Sequence, residues 1–146
     1  MKNIIIGIAV LSLSLLSCNK YRNNQYSTWY VNGEEFKTNE VKITMGPEET
    51  YILSTIKNNL KNNFGLSFYN KPVLGIYKIR VGYDYNYAFL DIFYNSKYYY
   101  PLDTNAFILV ENNNNNKLKF TLKDTWFHYY YDKNDSVLVH GVFNEP

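Results

Sequence analysis

The sequence predicts an all-β fold, either a single antiparallel β-sandwich or a partly closed barrel of about ten short strands. Three observations carry that expectation. Sixteen tyrosines and nine phenylalanines load the chain with side chains that pack well on a pleated, half-buried surface. Short runs in which apolar and polar residues alternate recur along the chain, separated by Gly, Pro, Asn or Asp. No apolar repeat of helical period follows residue 18.

Residues 1–17 stand outside that fold. Lys2 supplies a basic start, and residues 4–16 form an apolar run of thirteen. A helix needs ~20 such residues to cross a bilayer, so the segment reads as a signal peptide. It closes on Leu15-Leu16-Ser17-Cys18, which contains the only cysteine in the chain. An aliphatic residue three before the cysteine and a small one directly before it resemble the lipobox of bacterial lipoproteins. That resemblance spans residues 1–18. It implies cleavage between Ser17 and Cys18, a thioether-linked diacylglycerol on the Cys18 sulfur, and a third acyl chain on the new amino group. A thiol suits this chemistry because it is a soft, polarizable nucleophile. At about 0.8 kcal/mol per buried methylene, two or three acyl chains hold far more firmly than one, so the first expected partner is a membrane. The competing reading is an ordinary secretory signal with a cysteine at its end by chance.

Removing residues 1–17 leaves 129, a size at which one domain buries roughly two-thirds of its unfolded surface. Residues 18–27 are mostly polar and read as a lipid-anchored tether, leaving 28–146 as the domain. Without Lys2 the chain carries 14 basic against 13 acidic residues. That near-neutrality gives no electrostatic case for nucleic acid. With no cysteine after Cys18, an exported domain must hold together by packing, without disulfides or a thiolate metal site. The excess of Asn, Lys, Ile and Tyr is what AT-rich codons produce, and the run 112–116 needs no function.

The domain opens at Trp29 with Asn32-Gly33 between strand-like residues, a hairpin signal because type I′ turns need positive φ at both central positions. Val41, Ile43 and Met45 alternate with Lys42 and Thr44 up to Gly46-Pro47, and 51–56 follows as the next strand. After a polar loop at 57–63, Phe64, Leu66 and Phe68 alternate. In 75–81 the inward register is assigned to Tyr77, Ile79 and Val81. Ala88, Leu90, Ile92 and Tyr94 alternate with Phe89, Asp91 and Phe93, a strand apolar on both sides and therefore central. Tyr98-Tyr99-Tyr100 stops at Pro101, and 106–110 is a compact apolar run. Glu111 to Asn116 reads as a turn into 117–122, with Leu118, Phe120 and Leu122 inward. Residues 125–131 and 136–143 are expected to form a final hairpin turning at Asp132, Asn134 and Asp135.

The order Trp29-x-x-Asn32-Gly33, Gly75-x-Tyr77-x-Ile79, Phe120-Thr121-Leu122 and Val139-x-Gly141-x-Phe143 resembles a group of small β-rich Bacteroidetes lipoproteins of unknown function. In that group an acidic cluster after the cysteine accompanies export to the cell surface. Here those positions are Asn19, Lys20, Tyr21, Arg22 and Asn23. The departure implies an outer-membrane placement facing the periplasm. Asp135-Ser136-Val137 is similar to the short O-glycosylation pattern of exported proteins in that group, which makes Ser136 a candidate attachment site at a turn.

Little in the chain points to catalysis. A nucleophile triad needs a histidine, and only His128 and His140 exist, both in predicted strands. Facing one another, they would gather Asp124, Asp132 or Asp135 into a metal site, but no short His-x-His or His-x-x-x-His spacing supports this. Asp132, Asn134 and Asp135 offer oxygens without the glycine and distal glutamate of a calcium loop. No enzyme, metal or cofactor is therefore expected. Exposed rings remain. In each tyrosine triplet alternate residues point to opposite sheet faces, so Tyr98, Tyr99, Tyr100, Tyr129 and Tyr131 are a candidate aromatic binding patch for a glycan, peptide or envelope protein. The plain alternative is tyrosine covering the rim of the core.

The expected function is a non-catalytic, lipid-anchored binding or accessory domain of the cell envelope. A lipocalin-like carrier of a small apolar ligand would need a lined interior cavity. An immunity-type inhibitor would need a charged or aromatic patch facing outward.

Overall fold

The structure is a computed structural model that describes residues 25–55, 62–80, 87–101 and 105–146. Ser17 and Cys18, Tyr83 and Tyr85, and the tether up to residue 24 lie outside the described residues.

The fold is all-β, as the alternation predicts. Eleven strands follow in order: β1 Ser27–Val31, β2 Glu34–Thr38, β3 Val41–Met45, β4 Tyr51–Thr55, β5 Asn62–Phe68, β6 Gly75–Ile79, β7 Tyr87–Tyr94, β8 Lys97–Pro101, β9 Phe107–Asn112, β10 Leu118–Tyr129 and β11 Asp132–Asn144. Among the described residues the only helical element is a single 3₁₀ turn, Pro47–Glu49, between β3 and β4. The strands form one sheet in the order β2-β1-β11-β10-β9-β6-β7-β5-β4-β3, and β8 joins β10 to β7.

Two routes thus connect β7 with β10. At one end, Leu118 to Leu122 of β10 pair with β9, β9 pairs with β6, and β6 pairs with the start of β7. At the other end β8 alone spans the gap, pairing with Ile92 to Tyr94 and with Phe127 to Tyr129. The sheet is therefore partly ringed. Its two arms, β11-β1-β2 and β5-β4-β3, fold toward each other. Trp29 of β1 meets Phe64 of β5 edge-on at 5.3 Å, and Phe64 meets Phe143 of β11 at 4.5 Å. Tyr51 of β4 reaches both Phe120 and Phe68. Rings fill the space between the arms.

Local chemistry accounts for the elements. Asn32 and Gly33 take φ of 50° and 82°, the pair of positive values a type I′ hairpin demands. Asn32 also ties the turn to β11, its Oδ1 accepting from the Leu138 N–H at 2.8 Å. Leu118, Phe120 and Leu122, assigned inward, are buried, and so are the alternating Phe64, Leu66 and Phe68; in the strand apolar on both sides it is Ala88, Leu90 and Ile92 that are buried. Ile79 is buried and Ile76 exposed, as the chosen register of β6 requires; Val81 lies outside the described residues.

Four expectations need correction. Ile43 and Met45 are exposed although Val41 is buried, because β3 is the last strand of the sheet. The pairing is not wholly antiparallel, since β6 runs parallel to β7 over a short stretch. Residues 118–129 form one strand rather than two, interrupted by a bulge between Leu122 and Thr125. One extra residue there shifts the alternation and hides the continuity of the strand. Finally, the last hairpin turns at Tyr130-Tyr131, and Asp132, Asn134 and Asp135 belong to β11. The Asx signal was still physical: Asp132 Oδ1 accepts from the Asn134 N–H at 2.9 Å within a register irregularity.

Candidate functional site

Alternation along β7 sends Ala88, Leu90 and Ile92 into the core and leaves Phe89, Asp91 and Phe93 on the outer surface. β8 pairs with β7 in antiparallel register, with Phe93 opposite Tyr98 and Ile92 opposite Tyr99. Tyr98 and Tyr100 therefore join the outer face. The rings form a run: Phe93 to Tyr98 at 4.7 Å, Tyr98 stacked on Tyr100 at 6.5 Å, Tyr100 against Phe89 at 5.8 Å and against Tyr130 at 6.2 Å. Tyr130 and Tyr131, at the turn between β10 and β11, are 68% and 81% exposed.

Of the five tyrosines named from the sequence, Tyr98, Tyr100 and Tyr131 lie on or beside this face. Tyr99 does not. It is 4% exposed and points inward, its hydroxyl donating to Asp135 Oδ1 at 3.1 Å. Tyr129 is half-buried beside Tyr99, with Lys97 Nζ 4.9 Å from its ring centre. Lys97 Nζ also meets Asp135 Oδ2 at 2.6 Å and, with the Tyr99 hydrogen bond, holds the Asp135 carboxyl below the usual carboxylate range. Asp135 is thus a strut between β8 and β11. Tyr130 and the two phenylalanines take the places on the face that Tyr99 and Tyr129 leave.

Asp91 sits among these rings. Burial pushes its carboxyl up to about 6, against a smaller opposing effect of its own backbone N–H. Among the described residues no Lys, Arg or His forms an ion pair with it. Tyr100 feels the same surroundings: burial first, then the Asp91 charge, raises its hydroxyl. Directly across from Asp91 on β5 is Gly65. A Cβ at that position would stand 2.6 Å from Asp91 Oδ1, so the missing side chain is what admits the carboxylate. Beyond Gly65 the register continues to Ser54 of β4 and Lys42 of β3. The result is a shallow trough of about 250 Å³ across the strands. Phe93, Tyr98 and Asp91 form one end, Lys42 the other, and Asn63, Gly65 and Ser54 line the middle.

The remaining candidates are dispersed. His128 pairs in register with Ser136, and its Nδ1 lies 2.9 Å from the Lys133 carbonyl. His140 stacks on Tyr30 at 4.6 Å, and its Nδ1 lies 2.8 Å from Asp124 Oδ1 without hydrogen-bond alignment. The two histidines do not face each other. Among the described residues no three of His, Cys, Asp and Glu gather as metal ligands would. Ser136 is half-buried inside β11, where regular pairing with β10 resumes, and not at the turn.

A second concavity, about 420 Å³, lies on the outer face of β6, β9 and β10 over Ile76, Phe107 and Leu109. Sequence reading passed over both concavities. Asp91 was visible as a lone charge in the middle of a strand apolar on both sides, with Phe89 and Phe93 at two residues either way. That pattern is the signal that would have found it.

No family model, no curated protein and no solved structure matches this chain.

Proposed function

We propose that this protein is a non-catalytic binding module of the bacterial cell envelope, anchored by lipid on Cys18 to the outer membrane facing the periplasm, and that its aromatic face holds a glycan. The observation that carries the reading is the run of outward rings from Phe93 through Tyr98 and Tyr100 to Tyr130. Rings on an outer face offer large contact area at small rotamer cost, and their flat sides suit the apolar faces of sugars. The polar trough beside them adds Asp91, Asn63 and Ser54 as hydrogen-bonding groups. Against a lipocalin-like carrier stands the packing of the described residues, where Trp29, Phe64, Phe120 and Phe143 are all buried between the arms.

The test is affinity capture from envelope extract by the full-length chain and by a variant carrying Tyr98→Ser and Tyr100→Ser. The wild type is expected to retain glycan at least tenfold more than the variant, and equal retention would remove the aromatic face from the account. For the anchor, Cys18→Ala is expected to abolish incorporation of labelled palmitate and to leave the precursor unprocessed at Ser17. Labelling and processing equal to the wild type would dismiss the lipid.

A further inference from the structure

We infer that the trough at Asp91 is the subsite for a sugar bearing a free, protonated amino group, with the ammonium held at the Asp91 carboxylate and the ring laid against Phe93 and Tyr98. The inference deepens the glycan reading above and rests on it.

The argument begins with an imbalance of charge. Asp91 lies half-buried on the outer face of β7, and its surroundings supply rings on two sides, Phe89 with Tyr100 and Phe93 with Tyr98. Each element packed around it can be taken in turn. On β5 the facing positions are Asn63, Gly65 and Ser67, none of them titratable. On β8 they are Tyr98 and Tyr100; behind Tyr100 stand Tyr130 and, in register on β10, His128, whose Nδ1 is held 2.9 Å from the Lys133 carbonyl. Among the described residues the cation that lines the trough is Lys42, two strands beyond Gly65 at the opposite end. A carboxylate so placed has lost much of its hydration, which pushes it up to about 6, and among the described residues it has no ion-pair partner. A cation entering from solvent supplies what the protein does not.

The shape of the trough narrows the choice of cation. Bare metal ions bind where several oxygens converge, and here one carboxylate faces aromatic carbon. Aromatic faces favour an organic cation, because the ring quadrupole attracts positive charge and the flat carbon surface packs against the cation's own framework. The neutral donors and acceptors of Asn63 and Ser54 line the trough beside the carboxylate, where hydroxyl groups of a sugar would find partners. Lys42 sets the direction, since its charge turns the ammonium away from the far end and toward Asp91. Gly65 keeps the path open: any side chain there would collide with the carboxylate.

The probes are glucosamine, N-acetylglucosamine and butylammonium, titrated calorimetrically into the full-length protein in mild detergent. Glucosamine carries both ring and charge, its N-acetyl form the ring alone, and butylammonium the charge alone. At pH 7.5 glucosamine is expected to bind at least tenfold more tightly than either. Asp91→Asn is expected to weaken glucosamine at least tenfold while leaving the N-acetyl sugar unchanged. Gly65→Ala, which pushes the carboxylate aside, is expected to act in the same direction. Between pH 7.5 and 5, glucosamine affinity falls in the wild type, as Asp91 takes up its proton, and stays level in Asp91→Asn. Equal binding of the two sugars would overturn the charge, and butylammonium binding as well as glucosamine would overturn the sugar. Failure of glucosamine to bind, with glycan capture still lost in the Tyr98 and Tyr100 variant, would overturn this inference and leave the aromatic-face reading standing. Loss of that capture difference with glucosamine still bound at Asp91 would do the reverse.

Discussion

Gly141→Ala is expected to lower the unfolding free energy by about 3 kcal/mol, at the upper end of overpacking effects. A Cβ at Gly141 would stand 2.7 Å from Trp29 Cβ and 2.8 Å from both the Thr28 carbonyl oxygen and Trp29 Cα. Two of those three atoms are backbone. They belong to β1, which pairs on one side with β11, Trp29 opposite Gly141, and on the other with β2. The obstruction cannot be relieved by turning a side chain. Relief requires β1 to move away from β11, and that movement drags Trp29 off Phe64 and Phe143 in the centre of the core. Close-packed interiors transmit such a shift rather than absorb it. Urea unfolding of the two proteins measures the loss, and a difference under about 0.5 kcal/mol would show that β1 yields freely.

Gly65→Ala makes the informative contrast. Its Cβ would also meet an atom at under 3 Å, but the atom is the Asp91 carboxylate, the end of a rotatable side chain. The same chemical change therefore disturbs the fold at Gly141 and the site at Gly65. In both cases the glycine is explained by what approaches it across the sheet.

The strands were legible where alternation had contrast. Phe64-Gly65-Leu66-Ser67-Phe68 has one apolar phase, and its apolar residues are buried. Tyr98-Tyr99-Tyr100 has no phase at all, so nothing in the residues announced that Tyr99 alone would turn inward. Neighbours in the sheet were a different matter. The pairing of β6 with β9, and of β8 with β10, joins segments far apart in the chain. Local propensity carries no information about such partners. The bulge at Lys123-Asp124 hid the length of β10 for a related reason, because one inserted residue reverses the apparent register of everything after it. The trough required both missing facts. Asp91 could be seen in β7, but its apposition to Gly65, Ser54 and Lys42 exists only once three strands are aligned beside it.

Asp91→Asn is expected to stabilise the protein by about 2 kcal/mol at pH 7.5 and to leave it nearly unchanged at pH 4. The sign follows from the direction of the shift. An ordinary aspartyl carboxyl titrates near 3.8, and in the folded chain burial moves this one up to about 6. Between those values the folded state binds the proton more tightly than the unfolded state, so stability falls as pH rises through the window. Above it the whole loss is present. At about 1.4 kcal/mol per pH unit the loss approaches 3 kcal/mol, reduced here because the amide in the variant also loses water on burial. Urea unfolding at the two pH values measures both arms. Equal differences at pH 4 and 7.5, or a variant less stable at both, would mean that the carboxylate is not strained by its surroundings. A further consequence ties stability to binding. A ligand selective for the folded state adds stability in proportion to the logarithm of its concentration above Kd. Glucosamine is therefore expected to raise the unfolding midpoint of the wild type at pH 7.5 more than that of Asp91→Asn at the same concentration. The substitution that removes the electrostatic cost should also weaken the means of offsetting it.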